Sequence, residues 1–227
     1  MKNMQDILEI FLTSMYGGYT PDQQSIIDSV LEYAKTLIGT PYRWHKEGDS
    51  IQGNDKFWAT NAQHITREQI NTTNKCIVCT GLINLMRRFL KLSIPGADGN
   101  GPDDYRTFPG TTGTWFHYLS EKGRLESLDI TRKYPKGTLL LRDFGSVDKD
   151  QGHVAVLIDE LGSTIFDQTI IHAYSEHGYA ESIAEGRVNV GQTGLTNFKV
   201  SHYWGQEEKE PGYYTHICLP ENWLLQD

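Results

Sequence analysis

Hydrophobic positions recur at helical spacing in the first half of the chain and at alternating spacing in the second. Residues 4–16 set Ile7, Leu8, Phe11 and Met15 on one face, which predicts a short helix ended by Gly17-Gly18. Thr20-Pro21 opens the next helix, with Thr20 as cap and Pro21 in the first turn. Its apolar face is Ile26, Ile27, Val30, Leu31, Ala34, Leu37 and Ile38, and Gly39 stops it. Gly39-Thr-Pro-Tyr-Arg-Trp44 follows as an extended turn set by Pro41. Residues 45–75 are polar with little periodicity, an insertion or lid with room for a short helix at 66–70. A third amphipathic run begins at Cys79: Leu82, Ile83, Met86, Phe89 and Leu90 form its apolar face, and Asn84, Arg87, Arg88 and Lys91 the opposite one. Residues 93–114, with Pro95, Pro102 and Pro109, read as a long loop, and 115–119 as a short helix.

Beyond that point the period changes. Residues 137–142, 153–159, 168–174, 198–204 and 213–219 read as strands separated by turns. Helices first and consecutive strands later predict an α+β fold, with helices packed on an antiparallel sheet. The expected organisation is one domain over 1–227, with a helical N-terminal extension at about 1–20 and an insertion at about 45–75.

Composition narrows the partners. The 227 residues are 38% hydrophobic and 22% charged, which supports a real core. A net charge of −8 and the lack of a basic stripe argue against nucleic acid. The longest apolar run, residues 154–158, is too short for a membrane span. No apolar signal-peptide core follows Met1, so the expected location is the cytoplasm, or outside by a non-Sec route. Three cysteines do not make a disulfide scaffold.

Those cysteines carry the candidate chemistry. Cys79 falls in the first turn of its helix, where backbone N–H groups and the dipole favour a thiolate. Thr80-Gly81 after it leaves room for another backbone to approach. Taken alone, Cys79 would pass for a small buried apolar residue. A cysteine nucleophile needs a base and a group that orients the base. His153 at the start of one strand and His172 in the next meet that need if the strands are neighbours. Tyr42 and Trp44 either line a cleft or plug the core edge. Cys76-x-x-Cys79 also permits half of a zinc site, completed by His216 and Cys218, or a redox pair.

Five local motifs, in order, resemble the NlpC/P60 family of papain-like cysteine peptidases. Val78-Cys79-Thr80-Gly81-Leu82 is similar to the family's Asp-Cys-Ser-Gly-Leu, and Gly39-Thr-Pro-Tyr-Arg-Trp44 to its Gly-Thr-Pro-Tyr-x-Trp. Pro135-Lys-Gly-Thr-Leu139, His153-Val-Ala-Val-Leu-Ile158 and Ile171-His172-Ala173 resemble its strand motifs. The resemblance implies a papain-like fold and amide hydrolysis in peptidoglycan stem peptides. Cys79 would be the nucleophile, His153 the base and His172 its orienter. Tyr42, Trp44 and Thr80 would form the oxyanion and substrate-binding set, with no cofactor and no metal. Val78 departs from the family's Asp, which in several members binds a free substrate amine. His45 and Lys46 replace a Gly-Gly pair, and the 45–78 and 153–172 connections are longer than usual. These departures keep other readings open: an amidase or acyltransferase acting on a lipid or protein, or a non-catalytic or zinc-binding module using Cys76, Cys79, His216 and Cys218.

Overall fold

The computed structural model describes residues 18–43, 66–72, 77–97, 101–142, 152–175, 190–198 and 214–225. The expected helix at 4–16, most of the 45–75 insertion, Trp44 and Cys76 lie outside these residues.

The first described helix, α1 (Pro21–Thr36), starts as its sequence dictates. Thr20 and Gln23 cap each other's backbone N–H groups, and Pro21 occupies the first turn. Its buried face differs slightly from the expected one. Tyr33 is buried and stacks on Phe89 at 4.6 Å between centroids, whereas Ile26 is exposed. A short strand β1 (Pro41–Arg43) follows, where the sequence suggested only a turn. After α2 (Arg67–Thr72) comes α3 (Cys79–Phe89), then α4 (Asp103–Thr107) and α5 (Thr112–Glu121). The long loop at 93–114 thus contains one short helix and the start of another.

Strands β2 (Glu126–Ser127), β3 (Leu139–Leu141), β4 (Val154–Leu157), β5 (Thr169–Ser175), β6 (Val190–Asn197) and β7 (His216–Cys218) join β1 in an antiparallel sheet of order β1-β6-β5-β4-β3-β7-β2. A final short helix, α6, spans Pro220–Trp223. The class is α+β, as expected. Of the strand expected over 198–204, residues 199–204 lie outside the described residues; a strand that the sequence reading did not name runs from 190 to 197, with residues 191–197 paired to β5.

Alternation sorts the sheet into two faces. Leu139, Leu141, Val154, Val156, Ile171 and Ala173 join a core with α1, α3 and α5. Leu140, Ala155, Leu157, Ile170 and Ile217 join a second core with Tyr134, Ile165, Phe198 and Tyr214. Strands buried on both faces explain the unbroken apolar runs Leu139–Leu141 and Val154–Leu157.

Helix α3 packs on β4, β5 and α1, and it departs from the sequence reading. Three residues of its expected polar face, Asn84, Arg87 and Arg88, are buried, and Lys91 is exposed. Asn84 accepts the indole N–H of Trp115 at 2.8 Å and donates to the Gly110 carbonyl at 3.2 Å. Arg87 is 1% exposed, donating to the carbonyls of Trp223 at 2.6 Å and Ser93 at 2.9 Å. The polar residues between its apolar positions therefore hold the 93–110 loop and α6 rather than face water. Among the described residues no helix is long and apolar enough to cross a membrane.

Candidate active site

Cys79 opens α3 behind Val78, an extended N-cap that offers no side-chain hydrogen bond. Gly81 follows two residues on, and what lies close to it is a side chain, not a neighbouring backbone. A Cβ there would stand 3.3 Å from the Ile77 Cβ, so the close neighbour is the side chain just ahead of the helix. Ile77 forms a parallel bridge with Tyr42, which brings β1 alongside the approach to α3. Tyr42 and Thr80 are both buried.

The Cys79 side chain is 2% exposed, and its Sγ donates to the Gly152 carbonyl oxygen at 3.8 Å. Gly152 adjoins His153. Cys79 belongs to the helix-side core, whereas His153 and His172 fall in the alternation of Ala155 and Ile170 on the other face. The described β3–β4 pairing begins at Val154, so residues 152 and 153 lie past its last rung, and the Gly152 carbonyl there is what reaches Cys79.

His153 Nε2 and His172 Nδ1 are 2.7 Å apart, with ring centroids at 5.0 Å and planes 75° apart. His172 Nε2 lies 3.0 Å from Thr196 Oγ1 on β6. Tyr174 stacks on the His172 ring at 4.5 Å, and Tyr214 flanks His153 at 6.0 Å. The imidazoles are 4% and 2% exposed. Burial lowers the His153 pKa from 6.5 to about 3. The His172 pKa is driven well below its ordinary value by burial and then by its neighbour His153. Both rings are therefore neutral near pH 7, which suits a proton acceptor and a lone-pair partner.

Register explains the grouping. Pairing Val156↔Ile171 and Ile170↔Thr196 sets Thr196, His172 and His153 in an oblique row across β6, β5 and the start of β4. Gly194 lies opposite His172. A Cβ on it would sit 3.2 Å from Tyr174 Cε1, so the glycine makes room for the ring that covers His172. Thr196, Tyr174 and Gly194 were not singled out from the sequence. Their roles depend on the β5–β6 register, which no local motif announces.

Of the zinc alternative, Cys76 lies outside the described residues, and Cys79, His216 and Cys218 lie within them. Among the described residues no group of three or more His, Cys, Asp or Glu side chains could hold a metal ion. His216 packs edge-on against Phe116 at 5.0 Å. Cys218 donates to the Leu219 carbonyl at 3.7 Å, and burial pushes its thiol pKa far up, away from the ligating thiolate. No protein-family model and no curated protein matches the chain.

Proposed function

We propose that the chain is a papain-like cysteine peptidase or amidase of NlpC/P60 type, acting on amide bonds of peptidoglycan stem peptides. The 2.7 Å bond between His153 and His172, at the sheet end where the Cys79 helix begins, is the observation that carries this reading. Cys79 Sγ attacks the carbonyl carbon while its proton passes to the His153 imidazole. The Cys79 backbone N–H and Tyr42 hold the oxyanion, with Thr80 beside the substrate. Collapse breaks the C–N bond, and the leaving amine takes the proton from His153, leaving a thioester. Water, giving a proton to His153, then attacks that thioester. Breaking the C–S bond releases the acid and restores the thiol.

Burial disfavours the imidazolium, so a resting ion pair of thiolate and His153 imidazolium is disfavoured. Proton transfer then accompanies C–S bond formation instead of preceding it.

Val78, buried beside Cys79, offers no charge to a substrate ammonium group. The site therefore accepts N-acetylated and free stem peptides with kcat/KM values within about tenfold, or roughly 1.4 kcal/mol. The test is a digest of peptidoglycan fragments and their N-acetylated forms read by mass spectrometry, with Cys79→Ala as control. New peptide termini that vanish in the variant support the reading. Intact fragments with the folded wild-type protein overturn the cell-wall substrate. The same digest on N-acyl lipids and peptide amides then decides for an amidase or acyltransferase on other substrates.

A further inference from the structure

The His153–His172 bond works in only one protonation pattern. If His153 is to accept a thiol proton, its free lone pair must be on Nδ1, so its Nε2 carries hydrogen. That N–H needs a lone pair on His172 Nδ1, which requires the His172 proton to sit on Nε2. In the opposite pattern His172 donates from Nδ1, His153 carries its proton on Nδ1, and the base is blocked. At the far side of His172 the one polar atom bonded to Nε2 among the described residues is Thr196 Oγ1 at 3.0 Å, a hydroxyl able to accept the Nε2–H of the productive pattern.

We propose that Thr196 is a positioning residue that holds the His172–His153 pair in its productive tautomer by accepting the His172 Nε2–H. The assignment rests on the hydrolase reading for its effect on rate and for the tautomer that it names, and on the 3.0 Å contact for the partner that holds His172. His172 is 2% exposed, so water does not readily replace a lost acceptor. A buried N–H without a partner is costly, and moving the proton to Nδ1 relieves that cost by donating to His153 instead. The rest of the cage keeps the ring from turning away. Tyr174 lies nearly parallel to it, at 18°, over the space that Gly194 leaves open. Thr196 therefore sets which nitrogen bears hydrogen without touching substrate.

The test compares wild type, Thr196→Val and Thr196→Ser. Long-range nitrogen–proton correlation spectra of ¹⁵N-histidine-labelled protein read the tautomers near pH 7. The expected result is His172 protonated on Nε2 in wild type and in Thr196→Ser, and on Nδ1 in Thr196→Val. With the peptide substrate, Thr196→Val loses about 10- to 100-fold in kcat at little change in KM, and Thr196→Ser recovers most of it. An unchanged His172 tautomer in Thr196→Val, or a serine variant as impaired as the valine one, overturns the proposal. If wild type cleaves no peptide at all, the hydrolase reading fails, and the spectra alone still decide whether Thr196 sets the tautomer.

Discussion

An orienting residue contributes one lone pair and a fixed direction, whereas a base must also carry a proton away and return it. The two roles respond differently to the same substitution. Asparagine at 172 brings a carbonyl oxygen toward the His153 Nε2–H, so His172→Asn keeps measurable turnover and His172→Ala keeps less. Asparagine at 153 has no basic nitrogen. His153→Asn therefore loses general acid–base catalysis, worth about 10²- to 10⁴-fold. Steady-state kcat for the three variants on a stem-peptide amide checks this. A dead His172→Asn with an active His153→Asn would reverse the two roles. The approach of His153 to His172 was legible in the sequence because each was read on one of two consecutive strands, and those strands are neighbours. Trp44 and Cys76 lie outside the described residues. Tyr42 is inside, on a strand that the loop-like Gly39-Thr-Pro-Tyr did not reveal.

Elements were legible where one local rule dominated and illegible where pairing supplied the reason. Helix α1 could be read from Thr20, Pro21 and its apolar spacing because its cap and its stripe are local. Strand β6 could not. Val190-Gly-Gln-Thr-Gly-Leu-Thr-Asn197 has two glycines and no apolar alternation, and it is a strand because β5 and β1 supply partners on both sides. Helix α3 was found but its surroundings were misjudged. Asn84, Arg87 and Arg88 look like a solvated face until the 93–110 loop and α6 are folded over them. That burial carries a cost when it is disturbed. Asn84→Ala leaves the Trp115 indole N–H and the Gly110 carbonyl without their partner and opens a gap between α3 and α5. The expected loss is about 2–4 kcal/mol of stability, read from urea denaturation with an unchanged slope. A loss under about 0.5 kcal/mol, typical of an exposed position, would mean that the network does not hold the helix.

For the whole molecule, the buried histidine pair makes stability depend on pH. In the folded chain the His153 pKa is about 3 and that of His172 is well below 6.5, whereas in the unfolded chain both titrate near 6.5. Between those values the unfolded state binds more protons. The pair's contribution is thus complete above about pH 6.5 and is lost as pH falls toward 3, by up to about 1.4 kcal/mol per pH unit for each histidine. Asp129 and Asp167 are held below their ordinary values chiefly by hydrogen bonds, from Thr131 and from the Ser163 and Thr164 backbone. Their contribution fades only in more acid solution, near and below pH 4. Denaturation midpoints from pH 4 to 7 check the pair. His172→Gln should flatten the slope between pH 4.5 and 6.5, and an unaltered slope would assign the pH dependence to other groups.

The neighbouring strands β1 and β6 come from opposite ends of the chain: residue 43 finds its partner at residue 190. On a ribosome adding about 5–20 residues per second, that partner arrives roughly 7–30 s later. By the end of that interval the emerging chain carries Cys79 and both histidines, but β6 does not yet border β5 and Thr196 is not yet there to meet His172 Nε2. On the proposed reading, a half-made chain is a harmless one, and the order of synthesis acts as a timer that withholds hydrolysis until the fold is nearly complete.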